Sequence, residues 1–237
     1  MRDLDEFEDG LVERFRAHPV LTEVAALPDE AFHAILLQRR FISLAFTPAY
    51  DLAIDLLRDE VGLRIARIIL REEYPDTHGT TRSHREDMKE DILRLGVPRE
   101  QLVASRPSET TARVIKDTFD LIAEAGAHED SDLMLLTLLR FWGEVLVSVE
   151  YGALWPRMAP VFTQDGRNRS RFYYPHYIHD AKGRPLATTS LLSTTHSDRL
   201  ATRLSELLAH EESPEDFKRM EERALGLKVD FYEQFRG

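Results

Sequence analysis

One stretch of the sequence, residues 133–154, is apolar on nearly every face of a helix. A helix of this kind has no polar side to turn towards water, so it is stable only where other elements surround it. The sequence therefore predicts a buried central helix. With 237 residues, 43% of them hydrophobic, the chain is long enough to bury such a helix in one core, and we expect a single domain over residues 1–237.

Several other stretches carry apolar residues at three- and four-residue steps, which is the spacing of one helix face. They cover residues 32–46, 52–70 and 110–125, and a last segment begins after Pro214. Alternating apolar and polar runs of the kind that forms strands are weak. The sequence therefore predicts an all-α fold, a single-domain helical bundle with about seven core helices. Breaks between helices are expected at residues 74–83, 95–107, 163–170 and 183–185.

The charge balance of the chain is acidic. Lys and Arg number 31 against 42 Asp and Glu, a formal net charge of −11. Such a balance argues against a nucleic acid or an anionic membrane as partner. The N-terminal sequence MRDLDEFEDG is acidic where a signal peptide is basic and then apolar, and no stretch reaches the roughly 18 uncharged residues of a membrane span. We expect a cytoplasmic protein with no membrane partner.

The chain has no cysteine and nine histidines. The absence of cysteine excludes disulfides, thiolate metal sites, iron–sulfur clusters and a cysteine nucleophile. Any catalysis must therefore use histidine, carboxylates, hydroxyl groups or a bound cofactor.

Histidines and carboxylates occur together in separate parts of the sequence. Glu73 precedes His84 in one segment, and His176 and Asp180 stand four residues apart in another. If residues 173–182 are helical, His176 and Asp180 share one helix face. In helical bundles, facing helices that project such side chains inward form carboxylate and imidazole metal sites. Solvated charges and helix caps are the structural alternatives.

Glu150 lies in the most apolar part of the predicted central helix. A carboxylate there costs several kcal/mol to bury without a partner, so something positive must meet it. That partner is a metal ion or an arginine such as Arg140 or Arg157. Glu144 is the competing carboxylate on this helix, but it lies about 240° round the helix from Glu150, so both cannot face one site.

The order Glu, His, then Glu, then His-x3-Asp and a later His resembles that of the haem-oxygenase-like diiron oxidases and oxygenases. Their superfamily also holds the TenA thiaminases, the quinone-cofactor synthase PqqC and the haem oxygenases. Segments similar to the opening helices and the second core helix of the superfamily are Arg16-Ala17-His18-Pro19, Leu36-Leu37-Gln38-Arg39-Arg40 and Ser83-His84-Arg85-Glu86.

This resemblance implies an oxidoreductase that binds two Fe(II) ions and uses O2 as co-substrate. Its substrate would be a small metabolite of the amino acid, amine or carboxylic acid type, in a biosynthetic pathway, and an external electron donor and a homodimer are compatible with the family. The metal ligands that the resemblance implies are Glu73, with Glu72 as the neighbouring option, His84, Glu150, His176, Asp180 and His196.

The sixth ligand is where the sequence departs from the family pattern. The family places a histidine seven residues after the first one of His-x3-Asp, but this chain has Gly183 there. His179 and His196 are the two candidates, and we favour His196. That choice requires an inserted Ser- and Thr-rich loop over residues 188–195, which we expect to be mobile until metal and substrate bind.

Three alternatives remain open from the sequence. The first is a metal-free catalyst of the PqqC or TenA type, although TenA thiaminases use a cysteine that this chain lacks. The second is a haem oxygenase with His18 or His33 as the iron ligand. The third is a non-catalytic helical binding protein, in which Glu150 pairs with an arginine and the histidines serve as surface charge and caps.

Overall fold

The computed structural model describes residues 1–76, 78–188, 195–209 and 214–236. These residues are all-α apart from one short hairpin, which confirms the predicted fold class. The helices are α1 (Arg2–Arg16), α2 (Pro19–Glu23), α3 (Asp29–Leu56), α4 (Glu60–Glu72), α5 (His84–Arg94), α6 (Arg99–Ala104), α7 (Glu109–Ala127), α8 (Ser131–Arg140), α9 (Leu146–Phe162), α10 (Tyr173–His179), α11 (His196–Leu208) and α12 (Glu215–Glu233).

The predicted central helix is present as a continuous rod. It consists of α8, a π-helical turn over Phe141–Val145, and α9. All residues from 133 to 150 are buried. Helices α7, α11 and α12 pack against α8, and α1 and α10 pack against α9. The rod is therefore enclosed over residues 133–150, as the apolar composition of this part requires.

The helix predicted over residues 52–70 is two helices in the structure. Helix α3 ends at Leu56 and α4 begins at Glu60, where the Asp59 side chain caps it by accepting a hydrogen bond from the Gly62 amide at 2.6 Å. The Asp132 carboxylate accepts from the amides of Arg58 and Asp59 at 2.8 and 2.9 Å. The apolar spacing did not predict this break, because a side chain from another helix, α8, stabilises it.

Two other helices are capped by side chains close to their first residues. Ser108 caps α7 by accepting from the Thr111 amide at 3.0 Å. Ser83 and Glu86 form a capping box at the start of α5. The long helices are α1, α3, α4, α5, α7, the α8–α9 rod, α11 and α12, eight in the described residues against about seven expected.

The stretch 163–170, expected to be a break, forms a hairpin. Strand β1 (Thr163–Gln164) pairs antiparallel with β2 (Arg167–Asn168). The turn residues Asp165 and Gly166 have φ values of 51° and 70°. Two successive residues with positive φ, in the left-handed region, are characteristic of the type I′ turn, for which Asp-Gly is a preferred sequence.

Two further expectations concern membranes and the inserted loop. No helix of the described ranges is long and apolar enough to cross a membrane. Residues 189–194 of the predicted loop lie outside the described residues, so its mobility stays a prediction.

Candidate metal centre

The π-helical turn brings a carboxylate to the inner side of the central rod. Glu144 lies in this turn and is 1% exposed. The Tyr50 hydroxyl, from α3, donates a hydrogen bond to Glu144. Gly143 allows this approach, because a Cβ there would lie 3.2 Å from the Tyr50 ring. A π-turn inserts one residue into a helix and is frequent at functional sites.

Helix α10 carries two further polar side chains and is held at its N-terminus by α5. The Asp91 carboxylate of α5 accepts from the Ser170 hydroxyl at 2.6 Å and from the amides of Arg171 and Phe172 at 3.0 Å each. Because α5 also begins with His84, this contact fixes the position of α10 relative to His84. Helix α10 ends at its C-cap Asp180, earlier than the helix expected over residues 173–182.

One group of candidate ligands consists of Glu73, His84 and His176. His84 Nδ1 lies 2.8 Å from Glu73 Oε1, and His176 Nε2 lies 3.8 Å from the same oxygen. His176 Nδ1 lies 2.7 Å from the Phe172 carbonyl oxygen. A proton on Nδ1, donated to this carbonyl, leaves Nε2 as the atom that faces Glu73, an arrangement common in metal-binding histidines.

A second group consists of Glu144, Asp180 and His196. His196 Nδ1 lies 3.3 Å from Glu144 Oε2 and 3.5 Å from Asp180 Oδ1. His196 Nε2 lies 3.1 Å from Glu72 Oε2. His196 is the first residue of α11, whose start is capped by Thr195. The predicted re-entry of the chain at His196 is therefore present in the structure.

Both groups line one pocket of about 310 Å³. His179 also lines it, but its side chain is exposed and belongs to neither group. The chain turns away after Asp180, and the Gly183 amide donates to Asp198 at 3.0 Å. A Cβ on Gly183 would lie 2.8 Å from an Asp198 oxygen, so any side chain at this position would require Asp198 to move.

The electrostatics of the pocket reflect its crowded carboxylates. Burial opposes ionisation of Glu73, but hydrogen bonds with His176 and His84 outweigh it and lower its pKa to about 2. Burial lowers the pKa of His176, whereas Glu73 and Asp180 raise it to about 9 overall. Burial and the Glu144 charge raise the pKa of Asp180 to about 7. Burial opposes a charge on His196, but its three carboxylate neighbours raise its pKa to about 12. The pocket therefore attracts positive charge.

The donor set fits two divalent transition-metal ions. Within each group the ligand atoms all lie within 4.8 Å of one another. Donors bound to one ion at about 2.1 Å are themselves roughly 3 to 4 Å apart, so modest side-chain movement is enough. Imidazole and carboxylate donors suit Fe, Mn and Zn ions. The Tyr50 and Phe172 hydrogen bonds orient Glu144 and His176 from outside, as supporting groups do at metal sites.

Glu150 is not part of this site, which corrects the expectation from the sequence. It is fully buried and accepts from Arg39 Nε at 2.5 Å, Tyr232 Oη at 2.5 Å and Lys228 Nζ at 3.2 Å. Its partner is thus neither Arg140 nor Arg157. The helical geometry holds, since Glu144 and Glu150 do face different sites, but Glu144 is the one beside the histidines.

Two histidines considered as haem ligands make structural contacts instead. His18 Nδ1 accepts from the Val20 amide at 3.3 Å and caps α2, and His33 Nε2 lies 3.1 Å from the Leu95 carbonyl oxygen. Sequence reasoning overlooked Tyr50 and Asp91. Nothing in the local sequence marks either one, because their roles depend on contacts with distant segments.

Comparison of the chain with known proteins identifies a similar fold but does not assign the chain to a family. No protein-family model and no curated protein matches the chain. Among solved structures, a TenA family transcription regulator from Silicibacter sp. TM1040 is similar, with a TM-score of 0.60 and 16% sequence identity over 98% of this chain and 95% of that one. At this identity the likeness concerns the fold alone: the chain has a helical fold similar to that of this structure.

Proposed function

We propose that this protein is a metal-dependent oxidoreductase that binds two Fe(II) ions in the pocket and uses O2 to oxidise a small molecule. The observation that carries the proposal is the convergence of six imidazole and carboxylate ligands, in two groups of three, on one pocket. Glu73, His84 and His176 would hold one ion, and Glu144, Asp180 and His196 the other. Three protein ligands per ion leave coordination positions for other molecules.

The bound ions would supply the redox chemistry of O2 activation, and the protein would supply geometry and shielding. The Phe172 carbonyl holds the proton of His176 on Nδ1, so that Nε2 stays directed into the pocket. The Tyr50 hydroxyl holds Glu144 in place. Phe46 and Ile69 provide an apolar wall beside the ligands.

The test is the stoichiometry of Fe(II) binding to chelator-stripped protein under anaerobic conditions. We expect two equivalents for the wild type and one for each of His84→Gln and His196→Gln. His179→Gln is the matched control, because this histidine lies at the same pocket outside both groups, and it should keep two equivalents. Uptake of O2 by the loaded wild type, absent from a His84→Gln/His196→Gln double variant, would show that the ions react with oxygen.

A metal-free catalyst of the TenA or PqqC type is the second candidate. The likeness to a TenA family structure favours it. The chain lacks the cysteine nucleophile of the TenA thiaminases, and the six clustered ligands have no evident purpose in a metal-free reaction. Binding of no Fe(II), Mn(II) or Zn(II) by the wild type would overturn the first proposal in favour of this one.

A further inference from the structure

A second cavity adjoins the pocket that holds the two groups of candidate ligands. The two share Phe46, Glu73 and His176 as lining residues. It is small, about 30 Å³, and its other walls include Arg39 and Lys228. Apart from these charged groups its surface is largely apolar, with Ile42, Val147 and Phe172 among the lining residues. One side of the cavity therefore borders the candidate ligands and another presents two cations.

The two cations are incompletely compensated. Arg39 and Lys228 are each 3% exposed, and both pair with the single carboxylate of Glu150. The sum of these three charges is +1 when all are ionised. Burial lowers the pKa of Lys228 to about 8 despite the attraction of Glu150. A buried surplus charge is costly, so the part of the cavity beside Arg39 and Lys228 favours an anion, whereas Glu73, which also lines the cavity and is ionised with a pKa of about 2, repels one from its own side.

Unused hydrogen-bond donors point to the same conclusion. Arg39 donates from Nε to Glu150 and from Nη1 to Ser43, and no described residue accepts from its Nη2. Lys228 has one acceptor, Glu150, for its three protons within the described ranges. The indole N–H of Trp142, another lining residue, is buried without any acceptor in the described part of the chain. Native proteins rarely leave buried donors unpaired, and a carboxylate offers two oxygens that accept several bonds.

We propose that this cavity binds the carboxylate of the substrate, with Arg39 and Lys228 as its cationic partners and the adjoining carbon atoms directed towards Glu73 and His176. This proposal rests on the proposed function, because it treats the bound carboxylate as part of the substrate of the proposed oxidoreductase. It identifies that substrate as a short carboxylic acid. The anionic group would be held by protein cations, so its binding does not need a metal ion. The small volume restricts the enclosed part of the ligand to the carboxylate and a few carbon atoms.

The test uses the whole protein, stripped of metal with a chelator, and acetate, butyrate and hexanoate at constant ionic strength. Calorimetric titration and melting temperature are the readouts, with butyramide and butylamine as uncharged and cationic counterparts. We expect butyrate to bind saturably and to raise the melting temperature, and the two counterparts not to. Sodium chloride and formate distinguish a substrate carboxylate from a free small anion.

Lys228→Met is the decisive variant. It removes the surplus cation and leaves Arg39 balanced by Glu150, so the fold should be retained. We expect its butyrate affinity to fall at least tenfold. Lys218→Met, a partly exposed lysine on the same helix, is the matched control and should bind as the wild type does. Trp142→Phe, which removes one donor, should weaken binding by several-fold.

Three results would overturn the inference: equal binding of chloride or formate, unchanged butyrate affinity in Lys228→Met, or no carboxylate binding by protein that binds two Fe(II) ions. Fe(II) stoichiometry of the same preparations separates the two proposals. Carboxylate binding without metal binding would remove the oxidoreductase and leave the anion site standing.

Discussion

At the scale of single residues, buried charges are the strongest constraint on this molecule. Two buried ion clusters flank the central rod. One joins Glu150 to α3 and α12, and the other pairs Arg140 of the rod with Glu8, beside the carboxyl group of Glu221. Removal of a charge that balances such a cluster leaves an uncompensated charge in an apolar interior, which costs more than the cluster contributed.

The first prediction concerns Glu150→Ala. This change leaves Arg39 and Lys228 buried without a carboxylate, so we expect a loss of about 3–5 kcal/mol in the free energy of unfolding, measured by urea denaturation of metal-free protein. Glu13→Ala removes an exposed carboxylate that pairs with Arg16 and should change stability by less than about 1 kcal/mol. Equal losses in the two variants would show that the buried cluster does not form.

The second prediction concerns pH and Glu221. Burial and the nearby Glu8 charge raise the pKa of Glu221 well above its usual value. Above about pH 4.5 the unfolded chain loses this proton while the folded protein keeps it, so the group lowers stability increasingly as pH rises. Glu221→Gln does not titrate.

We therefore expect the difference in unfolding free energy, Glu221→Gln minus wild type, to become more positive between pH 5 and pH 8. The rise is at most about 1.4 kcal/mol per pH unit. Denaturation curves at both pH values measure it. A difference that stays constant, or that falls with pH, would contradict the raised pKa.

At the scale of elements, the short helix α10 depends on a neighbour for its position. Asp91 of α5 accepts from the amides of Arg171 and Phe172, the two residues before this helix, and the helix carries His176 at its centre. Seven residues are too few for an isolated helix to be stable in water. The π-helical turn is likewise stabilised by its surroundings, since Tyr50 binds the glutamate that the turn presents.

The third prediction is that Asp91→Ala releases α10. We expect faster hydrogen exchange at the Arg171 and Phe172 amides and a tenfold to hundredfold loss of metal affinity, in the range found for groups that orient ligands. Glu90→Ala, on the exposed side of the same helix, is the control. If exchange at these amides is unchanged, α10 is held by its apolar contacts alone.

At the scale of the whole molecule, the candidate ligands connect segments that are far apart in sequence. They come from the ends of α4 and α10, the starts of α5 and α11, the middle of α10 and the π-turn of the central rod. Ions bound at these positions would link the outer helices to the core, and binding to the folded state alone stabilises it.

The fourth prediction is that a divalent ion raises the melting temperature of the stripped protein. Mn(II), which avoids oxidation, should do so by several degrees at concentrations well above its dissociation constant, because about 2.7 kcal/mol is gained at a hundredfold excess. The His84→Gln/His196→Gln variant should show no such rise. An equal rise in the double variant would locate the stabilising ions elsewhere.

Much of the architecture is a consequence of periodicity. The all-round apolar stretch predicted the central rod, and one-sided apolar spacing over residues 110–125 predicted α7, whose start Ser108 caps. Cap and apolar spacing are local properties, so they are readable from the chain. The break between α3 and α4 could not be predicted from local sequence, because the Asp132 side chain that stabilises it belongs to another helix.

The candidate site divides in the same way. Five of its residues were expected from a resemblance in the order of histidines and carboxylates: Glu73, His84, His176, Asp180 and His196. The choice between Glu144 and Glu150 depended on tertiary structure. Both are carboxylates on one apolar helix, and each needs a partner to be buried. Arg39 and Lys228, which meet Glu150, stand 111 and 78 residues away from it in the chain, so only folding decides which glutamate they neutralise and which is left to the histidines.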